Sequence, residues 1–197
     1  GQRRKESGEV RIRGKAYHAS RAELLREHVA CVPEEPLRNA CVGAMSVADN
    51  LAFRYFDSPQ CTKARIFIDR GKLEERALEL IDRFNIKTSS PHAPVQSLSG
   101  GNVQRLALAR ELSDHVDVLI ISNPCFGLDV AAISDIHEKI LLTRNRGAAV
   151  LLVSEDLDEI LVGRDALGDL QVLVALRHLG PGGRFGEAVG EAELGAQ

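Results

Sequence analysis

Two short apolar runs in the second half of the chain constrain its fold more than any other feature. Asp117 to Ile121 and Ala148 to Val153 are continuous and consist largely of Val, Ile and Leu. Between them, residues 133–141 carry apolar side chains at helical spacing. Strands that are buried on both faces have this composition, and such strands alternate with helices in α/β proteins. We therefore predict an α/β core with a parallel sheet.

The first part of the chain is predicted to hold short elements. Residues 10–13 are a candidate strand that ends in a turn at Gly14, and Ser20 is a candidate N-cap for a helix over residues 21–27. Residues 28–32 are predicted to form a strand. Residues 33–45, which contain two prolines, are predicted to form a loop.

Residues 36–112 are predicted to be nearly all helical. Asp69 to Phe84 has the clearest apolar stripe, Ser46 is a candidate cap of a short helix, and a further helix is predicted after Ser99.

The end of the chain differs in composition from the rest. Residues 156–161 are a candidate helix, and residues 171–176 are a candidate strand. Eight of the 17 glycines lie in residues 163–197. We therefore expect weak order beyond residue 180.

Composition limits the class of protein. The chain has 197 residues, 44% hydrophobic and 27% charged, which is typical of a soluble globular protein. Its net charge of −3 gives no broad electrostatic reason to bind nucleic acid or a membrane surface. The apolar runs are far shorter than the ~20 residues that cross a bilayer. The four cysteines form no C-x-x-C pair, so we expect free thiols and no zinc site.

The segment Ser99-Gly100-Gly101 opens a predicted helix with two glycines. Glycine destabilises a helix interior by about 1 kcal/mol relative to alanine, so another requirement must favour it here. A helix N-terminus presents unpaired N–H groups and partial positive charge, and glycines let a phosphate approach closely. The segment is therefore a candidate phosphate cradle, although a tight turn before an ordinary helix also explains it.

The order of the surrounding motifs resembles one known family. "LSGGN" at residues 98–102 is followed by "DVLIISNP", "GLDV" and "AVLLVSEDLDEI", and is preceded by "CVPEE" and "VGAMSVADNLAF". This series is similar to the nucleotide-binding domain of ABC transporters. It most resembles the C-terminal cassette of double-cassette importers for simple sugars and nucleosides. The resemblance covers about residues 8 to 162 and implies a P-loop NTPase-like fold with a helical subdomain.

The resemblance implies a role for the two glycines. Two cassettes of the family close head to tail around two ATP molecules, and the signature helix of one contacts the γ-phosphate held by the other. By this resemblance, Ser99, Gly100, Gly101 and Asn102, together with Asp129, bind a nucleotide in a partner cassette, which also holds most of the Mg²⁺ contacts. Gln104 and Arg105 would be structural.

Several positions depart from the family pattern. No G-x-x-x-x-G-K-[ST] motif occurs, so we expect the chain to start after the P-loop. Ser122 and Asn123 stand where the family has the Mg²⁺-binding Asp and the catalytic Glu. Glu155 replaces the γ-phosphate histidine, and Glu34 replaces the Q-loop glutamine. Neither Ser122 nor Asn123 is an anion, so the site is interpreted as degenerate, and the chain alone is predicted not to hydrolyse ATP.

The resemblance divides the chain into four parts. Residues 1–35 are expected to be a remnant of the nucleotide-binding core, 36–112 a helical subdomain with the signature, 113–162 an α/β core, and 163–197 a glycine-rich tail. Family partners are a second cassette and membrane permease subunits. This arrangement implies a cytoplasmic location, peripheral at the inner face of the cell membrane, with a docking surface around residues 34–50. Met45, Val47, Leu51 and Phe53 of this region are also candidate core residues.

Two other functions stay open at this stage. A cassette ATPase without a transporter, acting in DNA repair or translation, would share the motifs. Its relatives usually keep their catalytic residues and carry a more basic surface, which argues against it. A decayed, inactive fragment is the second alternative, favoured by the missing P-loop and the unusual tail.

Overall fold

A four-stranded parallel sheet forms the centre of the protein. The computed structural model describes residues 8–63 and 67–155, and the backbone of 172–176. The strands are β3 (Val29–Val32), β6 (Val118–Ser122), β7 (Ala149–Ser154) and β8 (Val172–Leu176), arranged in the order β3-β6-β7-β8. All three pairings are parallel, which confirms the predicted sheet and the predicted strand near residue 172. The predicted helix over 156–161 and the end beyond residue 180 lie outside the described residues.

Two short strands and a capped helix precede this sheet. Strands β1 (Arg11–Ile12) and β2 (Lys15–Ala16) form an antiparallel hairpin. The hairpin turns at Gly14, whose φ of +73° favours glycine. Helix α1 (Arg21–Arg26) begins at Ser20, as predicted. The Ser20 side chain accepts a hydrogen bond from the N–H of Glu23, and the Glu23 carboxylate accepts one from the Ser20 N–H.

Between β3 and β6, the described residues form four α-helices, one short 3₁₀ helix (Val95–Ser97) and one hairpin. The helices are α2 (Pro36–Asn39), α3 (Val47–Ala52), α4 (Arg70–Arg83) and α5 (Gly100–Glu111). Ser46 caps α3 through its side chain, as predicted, and Asp69 caps α4 in the same way. Two expectations need correction. The stretch 33–45 is not a continuous loop, because Pro36 starts a short helix, a position that suits its fixed φ. The region is not all helical, because Thr62–Lys63 and Phe67–Ile68 pair as an antiparallel hairpin, β4 and β5.

Helix α5 lies in the core. Val103, Leu106, Ala107 and Leu108 are at most 2% exposed, and the helix packs against β3, α3 and α4. Because the helix is buried on most sides, it has no strongly amphipathic pattern. Helix α6 (Val130–Asn145) connects β6 to β7 and contributes Ile136 to the same core.

A buried ion cluster anchors the C-terminal end of α5. One carboxylate oxygen of Glu111 accepts hydrogen bonds from Arg54 Nη1 at 2.6 Å and from the Cys31 N–H at 3.2 Å. The other oxygen accepts from Arg110 Nε at 3.0 Å. Arg110 also donates to the carbonyl of Ala40 at 2.7 Å. The cluster therefore joins α5 to β3 and to the segment before α3. These contacts hold the helix, and with it the start of α5, in one orientation.

Candidate functional site

The signature segment, Ser99–Asn102, lies at the exposed start of α5. Ser99 occupies the N-cap in extended conformation, and the helix begins at Gly100. A Cβ at Gly100 would meet no atom of the described residues within 4 Å. A Cβ at Gly101 would meet Ala132 and Leu128 at 3.7 and 3.8 Å, which is ordinary contact. Packing within the chain therefore does not require either glycine, and the space above Gly100 is open to another molecule.

The Asn102 side chain makes two hydrogen bonds that hold the signature segment in place. Its side-chain oxygen accepts a hydrogen bond from the Lys87 N–H at 2.8 Å, and its side-chain nitrogen donates to Ser99 Oγ at 2.9 Å. The Ser99 hydroxyl accepts no hydrogen bond from a backbone N–H of the first turn of the helix. A hydroxyl that accepts one hydrogen bond keeps its proton for donation. The Ser99 O–H and the first N–H groups of α5 thus form a set of donors at the surface.

The loop before α6 lies beside this segment. Asp129 is the N-cap of α6, and its side chain accepts a hydrogen bond from the Ala132 N–H at 2.8 Å. One turn further along α5, Arg105 donates to Asp135 of α6 at 2.9 Å. Leu128 and Ala132, on either side of this cap, lie next to Gly101. Asp129 itself has a capping role within this chain, and Arg105 links α5 to α6.

The positions that depart from the family pattern lie at the carboxyl ends of β3, β6 and β7. Ser122 ends β6, and Asn123 follows it with a φ of +44°, a region that asparagine tolerates better than most residues. Asn123 Nδ2 donates to Glu34 Oε2 at 3.1 Å, and Asn123 Oδ1 accepts from the Glu155 N–H at 2.9 Å. One amide therefore links the segments after all three strands.

A cleft of about 410 Å³ opens between these strand ends and the start of α5. We call it the acidic cleft. Its charged lining consists of Glu34, Glu35 and Glu155, and Asn123 and Gly100 also reach it. Three carboxylates would repel a triphosphate, and the Asn123 amide is already engaged on both sides. Within the described residues, no group of three His, Cys, Asp or Glu side chains is placed to hold a metal ion. Negatively charged side chains therefore dominate the described lining of this edge.

Two side chains of the cleft were not selected as site residues from the sequence. Gln104 was interpreted as structural, yet its Nε2 is buried without a hydrogen-bond partner among the described residues. Phe126 lies in the loop after Asn123 and is 77% exposed. In the sequence, "NPCFGLD" places this phenylalanine in a predicted loop between one proline and one glycine, and that was the available signal.

The predicted docking region is divided between core and surface. Val47 and Leu51 are fully buried in the core. Met45 is 37% exposed and lines a second cleft of about 410 Å³ together with Phe53, Phe56 and Ile68. The docking role stays a prediction.

All four cysteines are free thiols, as expected from the sequence. Across the described residues, no helix is long and apolar enough to cross a membrane.

The fold and the signature segment define an ATP-binding cassette of the transporter class. A family model described as ABC transporter matches residues 1–125. The chain therefore belongs to the ABC transporter family, which confirms the resemblance found from the motifs.

Two similar proteins are import proteins by name. The chain is 36% identical over 176 residues to the nucleoside import ATP-binding protein NupA of Lactococcus lactis, covering 86% of this chain and 35% of the relative. It is 36% identical over 162 residues to the arabinose import ATP-binding protein AraG 2 of Burkholderia cenocepacia, covering 80% and 30%. The chain thus spans about a third of the length of these relatives.

Solved structures show the same fold. The dimeric ATP-binding cassette MJ0796, in a post-hydrolysis state with ADP and Pi, superimposes with a TM-score of 0.60 at 21% identity. The match covers 78% of this chain and 65% of the cassette. CbiO1 from Clostridium perfringens, part of the transporter complex cbiONQ, gives a TM-score of 0.58 at 22% identity, covering 86% and 62%.

Proposed function

We propose that this chain is the ATP-binding part of an ABC importer for simple sugars or nucleosides, and that it donates its signature segment to a nucleotide held by a partner cassette. The observation that carries the proposal is the contrast between the start of α5 and the carboxyl ends of the strands. The start of α5 is open and rich in donors, whereas the strand ends carry three carboxylates. The names of the relatives support the solute class.

The chemistry of the signature segment fits a phosphate that arrives from outside. The N–H groups of Gly100 and Gly101 open the helix and have no intrahelical partners. The helix dipole adds partial positive charge at the same point. Absence of a Cβ at Gly100 lets oxygen atoms reach these N–H groups, and the Ser99 hydroxyl adds a further donor. These groups stabilise negative charge on a phosphate without supplying a base or a metal ligand.

The same contrast implies that this chain does not hydrolyse ATP alone. Ser122 and Asn123 provide no carboxylate for Mg²⁺ or for a proton, and Glu34 and Glu155 disfavour a γ-phosphate. ATP and Mg²⁺ would be held mainly by the partner cassette. Permease subunits would contact the surface around residues 34–50, which places the protein in the cytoplasm at the inner face of the membrane.

The test is fluorescent-ATP binding in the presence of Mg²⁺, first with the chain alone and then with an intact cassette whose P-loop is complete. Circular dichroism establishes folding first. We expect no binding by the chain alone, and tighter binding or faster hydrolysis by the partner when the chain is added. Ser99→Arg should abolish this gain. Ser89→Arg, at another exposed serine, is the matched control and should preserve it.

Two results would contradict the proposal. Micromolar ATP binding by the chain alone would mean that it contains its own nucleotide site. A folded chain that leaves the partner unchanged would favour the inactive fragment that the sequence leaves open.

A further inference from the structure

A cysteine and a histidine meet beside the loop that joins β6 to α6. The Cys125 sulfur lies 3.4 Å from His137 Nε2, which is within hydrogen-bond range of a thiol. Cys125 belongs to the loop and His137 to α6, so the fold brings together two side chains that are 12 residues apart in the sequence. A nucleophile within reach of a general base is the arrangement that activates cysteine in proteins.

The loop that carries Cys125 is held at both ends. The Asn123 side chain accepts a hydrogen bond from the Glu155 N–H at 2.9 Å, and Asp129 caps α6. Between these points, the Cys125 carbonyl accepts a hydrogen bond from the Leu128 N–H at 3.2 Å. Backbone contacts therefore fix the position of the cysteine relative to α6, as a reacting pair requires.

Either protonation form of the imidazole favours the reactive form of the thiol. The thiolate is the nucleophile, and a neutral His137 ring accepts the thiol proton. A protonated ring stabilises the sulfur anion beside it. Cys125 is partly exposed, and the next two residues, Phe126 and Gly127, are exposed. Small reagents therefore reach this part of the loop from solvent.

The other three cysteines are less suited to react. Cys61 is 2% exposed in the core, and burial raises the pKa of the Cys41 thiol. Cys31 lies at the surface, but desolvation of its sulfur and, to a smaller extent, the nearby Glu111 carboxylate raise its pKa. The chain therefore contains an internal comparison, because Cys31 lies beside a carboxylate and Cys125 beside an imidazole.

We propose that Cys125 is a modification site for hydroperoxides and that His137 moves the proton in the reaction. The sulfur attacks the terminal oxygen of the peroxide, so that an S–O bond forms as the O–O bond breaks. The thiol proton passes to His137 Nε2 and then to the departing oxygen, which leaves as an alcohol, or as water from hydrogen peroxide. The sulfur loses two electrons and becomes a sulfenic acid, and the peroxide gains these electrons. The reaction needs no nucleotide and does not depend on donation of the signature segment.

The experiment treats the folded full chain with hydrogen peroxide in the presence of dimedone, which traps sulfenic acids. Trypsin cuts after lysine and arginine, so the four cysteines fall in four different peptides, at residues 27–38, 39–54, 55–63 and 111–139. Mass spectrometry of these peptides gives the rate of labelling at each cysteine. We expect Cys125 to be labelled at least about tenfold faster than Cys31. In concentrated urea the rates should converge, because unfolding separates the pair.

His137→Gln tests the proton transfer, because glutamine is polar and cannot take up a proton. Peroxide labelling at Cys125 should fall about tenfold. Alkylation by iodoacetamide needs the thiolate but no proton on the departing iodide, so it should fall by a smaller factor. His92→Gln, at an exposed histidine outside the pair, is the matched control and should leave both rates unchanged. Urea unfolding of each variant ensures that rates are compared between folded chains.

Three results would overturn the proposal. The first is labelling of Cys31 as fast as Cys125 in the unmodified sequence, a comparison that needs no variant. The second is a folded His137→Gln chain that keeps or exceeds the original Cys125 rate, which would make exposure of the sulfur the controlling factor. The third is an equal fall with peroxide and iodoacetamide, which would remove the return of the proton. None of these measurements involves ATP, so failure here leaves the proposed function standing.

Discussion

The contact between Asn123 and Glu34 predicts that the two positions are energetically coupled. Asn123→Asp removes the donor that reaches Glu34 Oε2 at 3.1 Å, and hydrogen bonds to charged groups contribute about 1.5–3 kcal/mol. It also places two carboxylates together. Their repulsion adds about 1 kcal/mol, because both residues are partly exposed and solvent screens the pair. The Glu155 N–H keeps an acceptor, and aspartate tolerates the positive φ. We expect a loss of about 2–4 kcal/mol in the free energy of unfolding.

The assay is a double-mutant cycle measured by urea unfolding at pH 7. Glu34→Gln in the Asn123→Asp background restores an amide–carboxylate pair with the roles exchanged. The double variant should therefore be at least about 1 kcal/mol more stable than the sum of the single effects. The deficit of Asn123→Asp should shrink as the pH falls toward 4. The nearby carboxylate raises the pKa of the introduced group above its unfolded value, so protonation removes the repulsion. Additive effects within about 0.5 kcal/mol would refute the coupling.

Three further variants test other parts of the structure. Glu111→Ala leaves Arg54 and the buried Arg110 without their shared carboxylate, and urea unfolding should show a loss of about 3–5 kcal/mol. Glu23 has its pKa lowered to about 2, chiefly by its hydrogen bond to the N-cap backbone of α1. Its stabilisation is therefore complete above about pH 4.5 and is lost as the pH falls toward 2, and Glu23→Gln should flatten that part of the stability–pH curve. Gly100→Ala meets open space, so thermal unfolding should show a gain of about 0.5–1 kcal/mol while stimulation of a partner cassette falls.

The larger elements of the fold were predictable because their signals are local. Ser20 and Ser46 each cap a helix by accepting a hydrogen bond from the N–H three residues further on, so the signal lies within a few residues of sequence. The parallel strands β6 and β7 were predictable for the same reason, because each is a continuous apolar run in the sequence. The hairpin of β4 and β5 was missed, because pairs of two-residue strands have no periodicity to detect. The short helix that begins at Pro36 was not predicted, because the prolines of this stretch suggested a loop.

The candidate site was predictable in part. Motif order located Ser99 to Asn102 and the substituted positions. It could not show that Asn123 bonds to Glu34, because the two are 89 residues apart and meet only when β3 and β6 pair. It also could not show that Gln104 is buried at the wall of a cleft. Hydrogen-bond satisfaction depends on the whole three-dimensional surroundings, and no local pattern encodes it.

The two edges of the chain should therefore respond to mutation in opposite ways. Under the proposed function, substitutions of Gly100 or Gly101 would remove contacts to another molecule, since a Cβ at either glycine meets open space or makes only ordinary contacts within this chain. They should alter the activity of a partner cassette and leave stability unchanged or improved. Changes at Asn123 break bonds within the chain and should alter stability first. If both edges instead affected ATP turnover equally at constant stability, the strand ends would be part of a working nucleotide site, and the interpretation of Ser122 and Asn123 as degenerate would be wrong.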